Sequence, residues 1–387
     1  MIRLRRRILF AAGAAMAPTL VWCHEQAKQS TRAALDRSTL NRSTLGRSSL
    51  LAEAEALLVT GKSIEALDAF EKIASTEHSA DVELSIVRSH MQAGAYRTAL
   101  AFCAHAAGAH PEFAAGAALY AVLLHIGGQR EVALQTITKS LQLHNDNPVL
   151  LAAKHIISAQ DPQFDPILLK TPWRAAPYAI GVNVPPAARH IGTGLLMPNG
   201  EHAIIPSFAN GSGHSILVRN GIGQTSVAQI VSNGASLTLV KLVNAMPKLP
   251  APIFANREPI AGSPSRFIHY NEQTSREAAW PILRSSFFRV LPQNETQRPL
   301  GFLISPQHVG GPVFDQFGQI CGLAIQDKEG IDRLLQLSQL VTQLERPAEI
   351  FIPAIQSSAT VNATKVANDL LYERSLVCTL QVFGDAG

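Results

Sequence analysis

Four cysteines, Cys23, Cys103, Cys321 and Cys378, and 13 histidines carry the metal and nucleophile chemistry open to this chain. Their spacing matches no metal motif, and no HExxH or dense His/Cys/carboxylate cluster is present. His105 and His110 are five apart, which places them on different faces of a helix, so they are poor joint ligands. The expectation is no metal and no cofactor. Nucleophilic chemistry directs attention to "PQHVGGPVFDQFGQICGLAI", Pro306 to Ile325, where a Gly-Gly-Pro turn leads into an apolar strand. The residue ahead of that turn is Val309, whose side chain has no lone pair. Ser305, His308, His202 and His214 are the nearest hydroxyl and imidazoles. Acyl transfer needs three such groups within hydrogen-bond reach, and nothing in this spacing makes them converge. They read as surface residues or satisfied core residues.

The elements that would position such a site follow from bulk composition. A chain of 387 residues with 47% apolar and 16% charged residues supports two or three globular domains. Its formal charge is +4, and Arg3, Arg5, Arg6 and Arg7 account for it, so no electrostatic case for nucleic acid arises. "MIRLRRRILFAAGAAMAPTLVWC" has a basic start, an apolar run and small residues at Ala15 and Ala17, the layout of an export signal over residues 1–26. An uncleaved anchor is the alternative; adjacent arginines also hint at the twin-arginine route, and "LVWC" is a poor lipoprotein box because Trp22 is too large. The expected location is the periplasm of a bacterial envelope. In that oxidising compartment Cys321 and Cys378 either pair or remain two buried thiols, and spacing does not separate the cases. Residues 27–50 repeat Arg32, Arg37, Arg42 and Arg47 every five positions, a period of neither helix nor strand, and read as a basic linker. A functional version has those arginines touching anionic lipid or wall polymer.

Residues 51–160 change to alanine- and leucine-rich helices. "GKSIEALDAF", "GAYRTALAFC" and "GQREVALQTI" align, with Gly61, Gly94 and Gly128 spaced by 33 and 34 residues, as are Ala66, Ala99 and Ala133. Glycine ends a first helix cheaply and alanine lets a second approach closely. This period resembles tetratricopeptide repeats, without their large early aromatic. "PVLLAAKHIISA", from Pro148, supplies a closing helix. The resemblance implies a solenoid whose concave face holds a peptide or partner helix; the plainer reading is that the repeats brace the next domain.

Residues 161–177 are proline-punctuated and read as an interdomain linker. Beyond them short β-branched runs alternate with Asn199-Gly200, Asn220-Gly221 and Asn233-Gly234, the pattern of a β-barrel or sandwich. Here "IGTGLLMPNGEHAIIPSFAN", "SILVRNG", "SLTLVKL" and "HVGGPVFDQFGQICGLAI" resemble, in order, the strands of trypsin-like proteases of the high-temperature-requirement type. "AEIFIPAI" is similar to the family's later G-F-A-I-P strand and "ATKVANDLLYERSLV" to its closing helix, with "DKEGIDRLLQLSQLVTQLERP" as an extra segment between. The resemblance implies a trypsin-like double β-barrel over residues 178–377, followed by a tail, 378–387. It places the family's base histidine on Ser207 (Phe208 if the register slips by one), its orienting aspartate on Ser236 and its nucleophile on Val309. The oxyanion turn falls on Gln307, Gly310 and Gly311.

A triad lacking hydroxyl, imidazole and carboxylate has no route to acyl transfer. The multidomain α and β chain therefore reads as a pseudoprotease adaptor, binding protein or peptide partners through the repeats and an empty cleft, since strand addition needs no triad. The alternative is a trypsin-like endopeptidase with unorthodox catalytic residues.

Overall fold

The computed structural model describes residues 46–159, 165–207, 216–249, 254–255, 257–271, 276–336, 339–340 and 364–385. The export signal, most of the basic linker, Phe208, His214, Cys23 and "AEIFIPAI" lie outside them. Two compact units divide at Leu50, and the second, Leu51–Gly387, holds both the helices and the sheets. Among the described residues no helix is long and apolar enough to cross a membrane.

Among the described residues seven helices come first: α1 (46–59), α2 (Ser63–Ala74), α3 (Ala80–Gln92), α4 (Tyr96–Ala109), α5 (Ala114–Ile126), α6 (Arg130–Leu143) and α7 (Pro148–Ser158). Among the described residues α1 is helical from Gly46, so the last five residues expected in the linker are helical. Each of α1, α3 and α5 ends on one of the three aligned glycines, with φ of +82°, +80° and +86°. The amide after each glycine reaches back five residues to a carbonyl: Lys62 to Leu57, Ala95 to His90 and Gln129 to Leu124, all at 2.9 Å. Three copies of one Schellman ending set three equal reversals. Ala66, Ala99 and Ala133 are fully buried at the matching places on α2, α4 and α6. Those second helices bury single stripes, such as Ala99, Cys103 and Ala106, whereas α3 and α5 are buried on most sides. α3 and α5 therefore form an inner layer. At α7 the Asn147 side chain accepts from the amides of Val149 and Leu150, and Pro148 takes the first helical position, where its missing N–H costs nothing.

The β region holds two sheets. The first contains β1 (Ile180–Gly181), β2 (Ala188–Leu196), β3 (His202–Pro206), β4 (Ile216–Asn220), β5 (Gln224–Asn233), β6 (Leu237–Leu242) and β13 (Thr379–Asp385), in the order β1-β5-β4-β13-β2-β3-β6. Strand β6 also pairs with β5, which closes six of these strands into an antiparallel barrel. β1 lies outside the ring, parallel to β5.

The expected tail is the main correction here. Thr379–Asp385 is a central strand, running from Thr379 opposite Leu195 to Asp385 opposite Ala188, and pairing on its other side with β4. Leu380, Val382 and Phe383 are each 0 % exposed. The helix before it, α8 (Asn368–Cys378), coincides with the expected closing helix and packs on α4, where the Tyr96 and Tyr372 rings meet edge to face at 4.5 Å.

The second sheet runs β8 (Ile282–Phe287), β7 (Pro264–His269), β10 (Pro312–Phe314), β11 (Ile320–Gln326), β12 (Asp332–Gln336), β9 (Arg298–Pro299) and is open. β12 comes from the stretch read as an extra segment. Asp327 folds the hairpin by accepting from the amides of Glu329 and Ile331, both at 2.9 Å, which puts Asp332 opposite Gln326.

Helices and sheets share one apolar core, which runs from Leu84 and Leu119 through Ile204 and Leu239 to Leu323 and Val382. The glycine turns mark the seam. A Cβ on Gly61 would stand 2.7 Å from Ile180, on Gly94 3.5 Å from Ile222 and on Gly128 2.6 Å from Leu283. Bracing, the plainer expectation for the helices, is therefore physically present.

Candidate functional site

The turn after β9 and its short 3-10 element, Pro306–His308, end at Val309. Val309 is half-buried, and both of its backbone groups are engaged. Its amide donates to the Pro306 carbonyl at 3.2 Å, and its carbonyl accepts from the Thr193 amide at 3.0 Å. Thr193 also donates its hydroxyl to the Gln307 carbonyl, and Gly310 donates to Ala324 at 2.7 Å. The turn is thereby stitched to β2 of the barrel on one side and β11 of the open sheet on the other. Gly310 (φ +88°) is required there: a Cβ would sit 2.1 Å from the Thr193 carbonyl oxygen. Gly311 donates to His308 and accepts from the Ala324 amide. An amide already pointing at a carbonyl is not aimed at an incoming oxyanion.

Ser207 follows β3, whose Pro206 lies against Gly310, so β3 delivers Ser207 beside the same turn. The Ser207 amide donates to the Ser236 carbonyl at 2.9 Å, and its hydroxyl donates to the Gly234 carbonyl at 2.9 Å and meets Thr238 Oγ1 at 3.0 Å. The structure thus brings Ser207 and Ser236 together and puts them on the strand ends next to Val309's turn. What surrounds Ser207 is hydroxyls and carbonyls, groups that hold a serine in place without lowering the cost of removing its proton.

No protein-family model matches the sequence, and no curated protein matches it. Among solved structures, the MamO protease domain from Magnetospirillum magneticum aligns with 17% identity and a TM-score of 0.30, over 42% of this chain and 98% of that one. The Rv3671c protease of M. tuberculosis H37Rv, inactive form, aligns with 16% identity and a TM-score of 0.31, over 42% and 87%. Scores this low carry no weight for function. The closed barrel, the open sheet and their strand order agree with a trypsin-like double barrel.

The remaining candidates are dispersed. His202 opens β3, at the end opposite Ser207, with Nδ1 held 2.9 Å from Asn199. His308 turns inward: its Nδ1 accepts from the Ser305 amide at 3.1 Å, and its ring lies 4.0 Å from that of His269 on β7. His269 is 2 % exposed, and neither of its ring nitrogens has a hydrogen-bond partner. His308 Nε2, His190 Nδ1 and His125 Nδ1 are also buried without partners. Burial, followed by the neighbouring His308 and Arg284 charges, holds His269 well below the ordinary imidazole range. Burial also takes His308, His190 and His125 down to about 4. Four neutral histidines from β2, α5, β7 and the 3-10 turn thus lie under the site. Reading the sequence missed three of them, because scattered single histidines give no signal until the fold assembles them.

Cys321 and Cys378 are separate buried free thiols, as is Cys103. Burial pushes the Cys321 thiol up and takes Cys378 to about 12, so both stay protonated and unreactive at neutral pH. Among the described residues no group of three or more His, Cys, Asp or Glu is placed to hold a metal.

Proposed function

We propose that this chain is a catalytically silent, trypsin-like scaffold whose tetratricopeptide-like helices and barrel bind protein segments in the bacterial envelope. One observation carries the reading. At the turn where a nucleophile would stand, Val309 offers only carbon and hydrogen, and its amide is committed to the Pro306 carbonyl. The hydroxyl at the base position, Ser207, is spent on Gly234. Attack, proton removal and oxyanion stabilisation are thus all unsupported at the same place. The envelope location rests on the basic and apolar N-terminal layout, and the repeat identity on the glycine period and its three equal helix endings.

Purified protein exposed to a fluorophosphonate probe and to casein tests this. The expected result is no labelled serine and no cleavage. Labelling at one serine, lost on its change to alanine, would establish a hydrolase with unorthodox residues instead.

A further inference from the structure

The segment expected to be an interdomain linker lies along the inner layer of helices and is gripped there. Its 3-10 turn, Pro166–Leu169, packs on α7 with Leu168 buried. Trp173 then meets Phe113, at the start of α5, with ring centroids 6.5 Å apart. Tyr178 reaches α3 and α1. Its amide donates to Gln92 Oε1 at 2.8 Å, while Gln92 Nε2 donates to the Tyr178 carbonyl at 3.1 Å and to Ile222 at 2.6 Å. Its hydroxyl donates to Glu55 of α1 and accepts from Arg88 of α3 at 3.3 Å. The chain therefore crosses the helix pairs from last to first, opposite to their order in sequence.

Three features distinguish this from ordinary packing. A glutamine side chain holding both the N–H and the C=O of one residue reads main chain, whatever side chain it carries. A buried Arg88–Glu55 pair, bidentate at 2.8 and 2.7 Å, forms a charged floor that reads a phenol. The segment is also shaped before it docks. Arg174 donates to the carbonyls of Leu169, Ala176 and Pro177, pairs with Glu277, and stacks over the Tyr178 ring 4.5 Å from its centroid. Pre-shaping reduces the ordering cost of binding.

We infer that the inner helical face is a peptide-recognition surface which the protein fills with its own residues 165–178. Its partner in trans is a protein segment that presents a tyrosine to Glu55 and Arg88, and it engages by displacing the resident segment. This rests on the binding role proposed above and adds its ligand class and its gate.

The test uses the full chain and a fluorescein-labelled synthetic peptide of residues 165–179. In a Trp173→Ala, Tyr178→Ala variant that keeps its far-ultraviolet dichroism, the peptide should bind by anisotropy. It should bind roughly tenfold more weakly when its tyrosine is replaced by phenylalanine, and not at all to the unaltered chain. Equal binding to both proteins, or none to the folded variant, overturns the inference. Hydrogen exchange on the unaltered chain decides the matter independently of that variant's folding. The Tyr178 amide should exchange by local opening, well before the amides of β13. Exchange of both together, only on global unfolding, would make the segment fixed core. Neither readout depends on the fluorophosphonate result, so a hydrolase and an unoccupied groove remain distinguishable failures.

Discussion

The closed barrel and the histidine-lined seam beside the open sheet treat buried polarity in opposite ways. In the barrel, Arg219 of β4 is almost wholly buried, yet its guanidinium donates to Thr225 Oγ1 and to the Arg276 carbonyl and lies over the Phe383 ring at 5.1 Å. At the seam, His269 is equally buried, and beyond the neighbouring Tyr270 backbone its ring nitrogens meet no hydrogen-bonding group. A buried polar group costs free energy unless it is paired. The barrel removes that cost with partners. The seam accepts it and keeps its histidines neutral. One region should therefore fail mechanically, when a strand is taken away, and the other chemically, when acid is added.

The largest effect should come from the strand. Ending the chain before Thr379 removes Leu380, Val382 and Phe383 from the ring and leaves β2 and β4 without their shared neighbour. Each such side chain contributes about 1.5–3 kcal/mol by burial, so the loss is comparable with the 5–15 kcal/mol of a typical domain. Thermal unfolding followed by circular dichroism should lose its cooperative transition. A truncated chain melting like the intact one would mean that the barrel closes without β13.

Acid should come next. His125, His190 and His308 titrate at about 4 in the folded chain against 6.5 when exposed, and His269 also lies lower. Between those values the unfolded chain binds protons that the folded chain does not, so stability is full above pH 6.5 and falls as pH drops towards 4. Each histidine contributes a slope approaching ~1.4 kcal/mol per pH unit in that window. Facing charges reinforce it: Arg284 of β8 and His190 act on His308, and Arg284, His308 and His125 on His269. Unfolding midpoints in urea at pH 7, 6 and 5 should fall progressively. A His269→Phe, His308→Leu double variant should flatten that fall; an unchanged slope would remove these two rings from the account.

These expectations also show what was legible in the sequence. The helix endings were, because glycine at a left-handed position and alanine at a close approach are local requirements that recur with the repeat. The turn around Gly310 was legible for the same reason, and so was the adjacency of Ser207 and Ser236, which the order of motifs carried. The strand role of Thr379–Asp385 was not. "TLQVFGD" alternates well enough for a strand, but nothing local tells a terminal segment that it belongs between β2 and β4. β12 was missed for a related reason, since "DRLLQ" has a charged start and sits in a stretch that matched no expected strand. Residues 161–177 read as a connection because proline and mixed composition signal irregular backbone, and irregular backbone pinned by Arg174 looks no different in sequence.

The glycine turns give a smaller and more discriminating effect. Gly94 and Gly128 share a positive φ, but only Gly128 would drive its new Cβ to 2.6 Å from Leu283 of β8. Gly94→Ala should cost ~1 kcal/mol from backbone strain alone, and Gly128→Ala ~2–3 kcal/mol because the seam must also shift. Denaturant midpoints measure both. Equal costs would mean that the helices do not press on the open sheet.

Val309→Ser should do least. The side chain is half-buried at the stitch between barrel and open sheet, and the turn is held by its backbone, through Pro306 and Thr193, which serine leaves untouched. Stability should change by less than ~1 kcal/mol, the usual range for substitutions that break no core contact. Casein should remain intact, because an added hydroxyl still has no imidazole to take its proton: His308 faces His269, and Ser207 and Ser236 occupy the other two positions. Cleavage by this single variant would require an imidazole to reach the turn from elsewhere, and would make the seam's buried histidines a catalytic reserve instead of a structural cost.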